Sequence, residues 1–129
     1  MRAGRPTERL AGGPLNCAIA NAVVHVHSHR LGRGPTRAQA FCHANLVVLL
    51  LEDSMTRGER SLSRIGADDT IVRLRRQMEH AVRDELVQAV EELTGRHVVG
   101  FLCDSLSDPD LTAELYVLDR PISGLRMEA

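Results

Sequence analysis

At 129 residues the chain is of single-domain size and long enough to build one real core. Its 16 basic and 17 acidic residues leave a formal charge of −1, so it lacks the overall electrostatic footprint of a nucleic-acid-binding domain. With no Trp, one Tyr and two Phe, it also lacks aromatic platforms for stacking single-stranded bases or caging quaternary ammonium groups. Cys17, Cys42 and Cys103 are odd in number and far apart, which argues for reduced thiols packed as small hydrophobes and against a disulfide framework or zinc motif. The longest apolar run, Leu46–Leu51, is far short of the roughly 20 residues that span a bilayer. The arginines near the N-terminus precede no apolar segment of the secretory type. The expectation is a soluble, cytoplasmic domain, with docking on the inner face of the cell membrane left open.

Residues 1–13, rich in Arg, Gly and Pro, read as a flexible lead. Asn16 is a plausible N-cap, and Leu15, Ile19, Val23 and Val26 recur at helical spacing. That helix should run to about Leu31 and stop at Gly32 in the left-handed conformation, with Pro35 blocking continuation. Thr36–His43 and Leu46–Glu52 read as a hairpin whose Ala44-Asn45 connection uses Asn for positive φ. The second strand is continuously aliphatic, as in strands buried on both faces. Thr56 and Glu59 have the spacing of a capping box and open a short helix ending near Gly66.

Asp68 or Asp69 then caps a long amphipathic helix reaching Thr94, with Gly95 as its stop. Its expected apolar stripe is Ile71, Met78, Val82, Leu86, Ala89 and Leu93. Strands over His97–Asp104 and Leu111–Leu118 flank a turn at Asp108-Pro109-Asp110, and residues 120–129 read as a loose tail. The order α-β-β-α-α-β-β predicts an α+β two-layer sandwich with an antiparallel four-stranded sheet and one long helix across it.

An ordered set of short segments carries a family resemblance. It comprises Leu31-Gly32-Arg33-Gly34-Pro35, the run from Thr56 to Leu62, Arg75, Glu92-Leu93-Thr94-Gly95, Asp104 and Val117-Leu118-Asp119. In this order they resemble the MpsC-like family of small bacterial domains, over residues 16–119 within a domain spanning 14–119. Two positions depart from that pattern: Asp53 stands where a Gly is expected after the second strand, and Ala44-Asn45 replaces an acidic turn. The resemblance implies an accessory role beside a membrane-potential-generating system for cation or inorganic-carbon transport. A transporter subunit is the implied partner.

Among candidate sites, Arg30, Arg33 and Arg37 cluster around Gly32 and Gly34 and suggest an anion- or partner-binding loop. A helix C-terminus repels anions, however, and welcomes the arginines themselves, so helix termination is the simpler reading. Arg75 lies nearest the apolar stripe, and its expected partner is Asp104 or Glu52 across the sheet, or a ligand. Within His25-Val26-His27-Ser28-His29, helical phase leaves only His25 and His29 as an i,i+4 metal pair, with no third ligand at fixed spacing. Asp104, Asp108 and Asp110 lack calcium-loop spacing. Cys42 and His43 point to opposite faces of a strand, and no Ser-His-Asp set can be assigned. No catalytic residue, metal or cofactor is expected.

The leading expectation is a non-enzymatic accessory or regulatory domain, with a homodimer as one form of it. The alternatives are a small-anion or metabolite sensor, or an enzyme of undefined substrate, built around the arginines, and a less favoured RNA-binding α+β domain.

Overall fold

The computed structural model describes residues 12–123; residues 1–11 and 124–129, within the expected lead and tail, lie outside that range. Helix α1 spans Gly12–Val26 and opens into a π-helical turn over His27–Leu31. Strands β1 (Arg37–His43) and β2 (Leu46–Glu52) form a hairpin, followed by helices α2 (Arg57–Arg64) and α3 (Asp68–Thr94). Strands β3 (Val98–Leu106) and β4 (Leu111–Leu118) complete a wholly antiparallel sheet of order β1-β2-β4-β3. This is the expected α+β architecture, element for element.

Helices α1 and α3 pack side by side on one face of the sheet, α1 over β1 and α3 over β3. The core is therefore built from α1 residues Leu15, Ile19, Ala20, Val23 and Val26 and the inward-facing alternation of each strand. Val47, Leu49 and Leu51 of β2 meet Tyr116 and Leu118 of β4 and Val82, Leu86 and Val90 of α3. Each fully buried aliphatic side chain contributes about 1.5–3 kcal/mol. Helix α1 begins at Gly12, ahead of Asn16, and Ile122 of the expected tail is buried, its N–H bonded to the Ala44 carbonyl.

Three further local expectations are corrected. In the β1–β2 turn Ala44 takes the positive φ of 55°, and Asn45 instead donates through Nδ2 to the Leu118 carbonyl. The buried stripe of α3 is Ile71, Arg75, Glu79, Val82, Leu86, Val90 and Thr94, so Met78, Ala89 and Leu93 sit at its edge. The polar members have partners that let them occupy inward positions: Arg75 and Glu79 meet charged side chains, and the Thr94 hydroxyl donates to the Val90 carbonyl. Arg75 pairs with Asp110, whereas Asp104 is taken by Arg76 and Glu52 by Arg37.

Strand β2 is buried on one face alone. Its outward residues Leu46, Val48 and Leu50 are only half-buried, because among the described residues no element covers that side. Cross-strand register aligns Phe41, Val48, Leu115 and Leu102 in one row across all four strands on this open face. Phe41 and Leu102 are 48% and 66% exposed, a large apolar patch for an uncovered surface. A β-bulge between Val98 and Gly100 leaves Val99 outside the ladder.

Candidate functional site

Titratable groups gather between the helical layer and the sheet in two adjoining buried clusters. The first is organised by the start of α2. Thr56 accepts the Glu59 N–H through its hydroxyl, while Glu59 Oε1 accepts the Thr56 N–H at 2.9 Å, completing the expected capping box. The same carboxylate is gripped bidentately by Arg33, with Nη1 on Oε1 and Nη2 on Oε2 at 2.6 Å. Arg33 reaches this position because Gly32, at φ 68°, reverses the chain after the π-helical turn.

Arg75 enters from α3, its Nε 3.7 Å from Glu59 Oε2 and its Nη2 donating to Asp110 Oδ1 at 2.8 Å. Asp110 in turn accepts the Met55 N–H at 2.7 Å. Burial opposes ionisation of Glu59. The Arg33 hydrogen bonds, the Thr56 amide and the charges of both arginines outweigh it and hold the Glu59 pKa below the usual carboxylate range. Two guanidinium groups and two carboxylates thus balance.

The second cluster lies deeper. His27 is the first residue of the π-helical turn and is buried, whereas His25 and His29 flank it on the exposed side. Its Nε2 stands 2.8 Å from Glu114 Oε2 and 3.2 Å from Glu79 Oε1. Glu114 is inward-facing on β4, fully buried between the inward positions of Leu49 and Cys103, and its other oxygen accepts the Tyr116 hydroxyl at 2.8 Å. Glu79 comes from α3 one turn after Arg75 and is only 6% exposed. Its Oε2 is buried without a hydrogen-bond partner.

The electrostatics differ from those of the first cluster. Burial, with the neighbouring Glu114 charge, pushes Glu79 up to about 8 despite the opposing influence of His27. Burial also raises Glu114, and it lowers His27 despite the attraction of Glu79. Burial and the adjoining Glu114 raise the Tyr116 hydroxyl, and burial with Glu79 and Glu114 raises the Cys103 thiol, so neither is poised as a nucleophile.

The structure thus separates the sequence candidates. Arg33 and Arg75 converge on Glu59. Arg30 pairs with Glu85 and Arg37 with Glu52, 3.4 Å away, both at exposed positions. His25 and His29 stack ring on ring, with centroids 5.5 Å apart. The clustered residues that sequence reasoning passed over are His27, Glu79 and Glu114. One signal was available: Glu79 falls four residues after Arg75 and eight after Ile71, on the buried face.

An α+β two-layer domain with an ionic interior and an open sheet face is the class defined by this architecture. Its family is also established: residues 12–120 match the family model described as "Na+-translocating membrane potential-generating system (MpsC)", and the chain belongs to the MpsC family. No curated protein and no solved structure matches it significantly. No helix among the described residues is long and apolar enough to cross a membrane.

Proposed function

We propose that this domain is a non-enzymatic accessory component of a membrane-potential-generating cation or inorganic-carbon transport system, docking on a membrane subunit from the cytoplasmic side. The family description supports the setting. The observation that carries the docking role is the row Phe41, Val48, Leu115 and Leu102 on the open sheet face. A strand as aliphatic as β2 is the kind normally covered on both sides, and here its outward side is left to a partner. An apolar row that crosses the face from edge strand to edge strand supplies surface of the kind protein interfaces desolvate.

The test is affinity purification of the full chain from membranes solubilised in mild detergent. A membrane-integral protein should co-purify with the native chain and with Arg73→Glu on the helical face, and should be lost with Leu102→Glu. Recovery of the chain alone overturns the proposal. Recovery as a dimer that Leu102→Glu dissociates assigns the face to a second copy instead and also overturns it.

A second reading, a small-anion sensor using Arg30, Arg33, Arg37 and Arg75, draws on one feature. A polar groove lined by Met55, Arg60, Arg64, Asp68, Ser107 and Asp110 lies beside the Arg75–Asp110 pair. Against it, Arg33 and Arg75 already have carboxylate partners. Saturable thermal stabilisation by bicarbonate or phosphate, lost in Arg75→Lys, would favour it.

A further inference from the structure

We propose that His27, Glu79 and Glu114 form a buried binding site for one divalent transition-metal ion, with zinc the best match in size and donor preference. The inference is independent of the docking role and rests on four observations.

The first is donor geometry. One ligand atom from each of the three residues can be chosen so that all lie within 4.8 Å of one another. The closest nitrogen-to-oxygen separations are 2.8 and 3.2 Å. Ligands about 2.0–2.1 Å from a tetrahedral zinc stand about 3.3 Å from one another. Small side-chain adjustments would therefore admit the ion without moving the backbone.

The second is an unmet valence. Glu79 Oε2 is buried and has no hydrogen-bond partner. A single imidazole N–H cannot donate well to two carboxylates at once. A cation bound to the deprotonated Nε2 satisfies both carboxylates together.

The third is charge. The neighbouring cluster is balanced, Arg33 and Arg75 against Glu59 and Asp110. Glu79 and Glu114 therefore enter the interior as a surplus of two negative charges, which one divalent ion would neutralise and protons otherwise must.

The fourth is support around the ligands. Tyr116 fixes Glu114 through its second oxygen at 2.8 Å, as outer hydrogen bonds orient carboxylate ligands. The Cys103 thiol adjoins Glu79 but is not one of the three converging donors, so a water would take the fourth position. A mixed imidazole and carboxylate set suits zinc and its transition-metal neighbours and is poor for alkali cations. The ion would tie α1, α3 and β4 together at one point.

Because the site is enclosed, the full chain should be stripped with chelator, unfolded, refolded with equimolar Co2+ or Zn2+, and desalted. The expected result is one metal per chain by elemental analysis, with the visible absorption of low-symmetry Co2+ and a raised Tm. Glu79→Gln and His27→Gln should each retain less than a tenth of the metal, whereas His29→Ala should retain all of it. Refolded native-sequence protein that holds no metal overturns the proposal, whatever the variants do. Loss in His29→Ala moves the metal to the His25–His29 pair and overturns it. Displacement of Co2+ by excess sodium reassigns the site to an alkali cation, with the same consequence.

Discussion

The two buried clusters are neighbours in one interior, yet they solve the cost of buried charge differently. Around Glu59, each carboxylate faces a guanidinium, and the backbone amides of Thr56 and Met55 supply further donors. Around Glu79, two carboxylates share one imidazole, and a carboxylate oxygen is left without a donor. The first arrangement balances its charges within the chain, with only the Arg75 Nε, 3.7 Å from Glu59, lacking a hydrogen-bond partner. The second needs something added, a proton or a metal ion. Buried ion pairs repay their desolvation only when geometry and counter-charge are complete. On that criterion the Glu59 cluster is a structural clasp joining the turn after α1 to α2 and α3, and the Glu79 cluster is the chemically responsive one.

The largest expected contrast comes from removing the central acid of each cluster. Glu59→Ala strands Arg33 and Arg75 in the interior and abolishes the capping box. It should destabilise the fold by about 3–5 kcal/mol in urea denaturation. Glu79→Gln removes surplus negative charge while keeping the shape, and in metal-free protein near pH 8 it should be neutral or stabilising. Equal losses in both variants would break the distinction between the clusters.

Next in size is the dependence on pH. Glu79 has a pKa of about 8 in the folded protein against 4.5 ordinarily, so the native state holds its proton more tightly than the unfolded chain does. Stability of chelator-treated protein should therefore fall as pH rises from about 4.5 through 8, by on the order of a few kcal/mol. Burial keeps His27 below its ordinary 6.5, so it contributes the opposite slope, confined to the acid side of that value. Arg33, Arg75, Tyr116 and Cys103 also face this cluster. Only the part of the slope that disappears in Glu79→Gln belongs to Glu79. Glu59 has the reverse linkage: its lowered pKa gives stability that is present above about 4.5 and lost as pH falls through its folded value. Urea midpoints across pH for the native chain and Glu79→Gln would sharpen the comparison, and parallel profiles above pH 6.5 would defeat it.

A smaller effect is expected from Tyr116→Phe. The change deletes the hydroxyl donor to Glu114 while preserving the ring's packing against Phe101, whose centroid is 4.9 Å away. Leaving a buried carboxylate oxygen without its donor should cost about 1–3 kcal/mol. The loss should narrow once metal is bound, since the ion then neutralises the same carboxylate. Thermal unfolding with and without Zn2+ distinguishes this from a simple packing loss, which metal would not offset.

How much of this was legible in the sequence follows from the range of the forces involved. The strands, the helices, Gly32, Gly95 and the Thr56–Glu59 box are set by near neighbours in the chain, and their expected positions agree closely with the structure. Arg75 was also marked as inward by its phase on α3. Its partner was not, because Asp110 reaches it through the β3–β4 turn, and nothing local distinguishes Asp110 from Asp104. Glu114 was obscured for a different reason. In Leu111–Leu118 both alternations carry apolar residues, so the pattern does not say which face holds Thr112, Glu114 and Tyr116. His27 illustrates a third limit. Helical phase separated it from His25 and His29, but direction relative to the core depends on how α1 seats on the sheet.

The smallest predicted effect concerns the arginines that sequence proximity grouped with Arg33. Arg30 is half exposed and pairs with an equally exposed Glu85, and Arg37 is 67% exposed on the edge strand beside Glu52. Such pairs are screened by solvent and salt and typically contribute 0–1 kcal/mol. Arg30→Ala and Arg37→Ala should therefore each shift the urea midpoint only slightly, whereas Arg33→Ala should cost several kcal/mol by leaving Glu59 without its bidentate partner. The three residues lie within eight positions of one another, so their stability effects should be separated by burial alone. If either exposed arginine proved essential for recovery of the membrane partner while leaving the midpoint unmoved, its role would lie in recognition. The clasp would then end at Arg33, and the surface around Gly32 would join the open sheet face as part of the docking site.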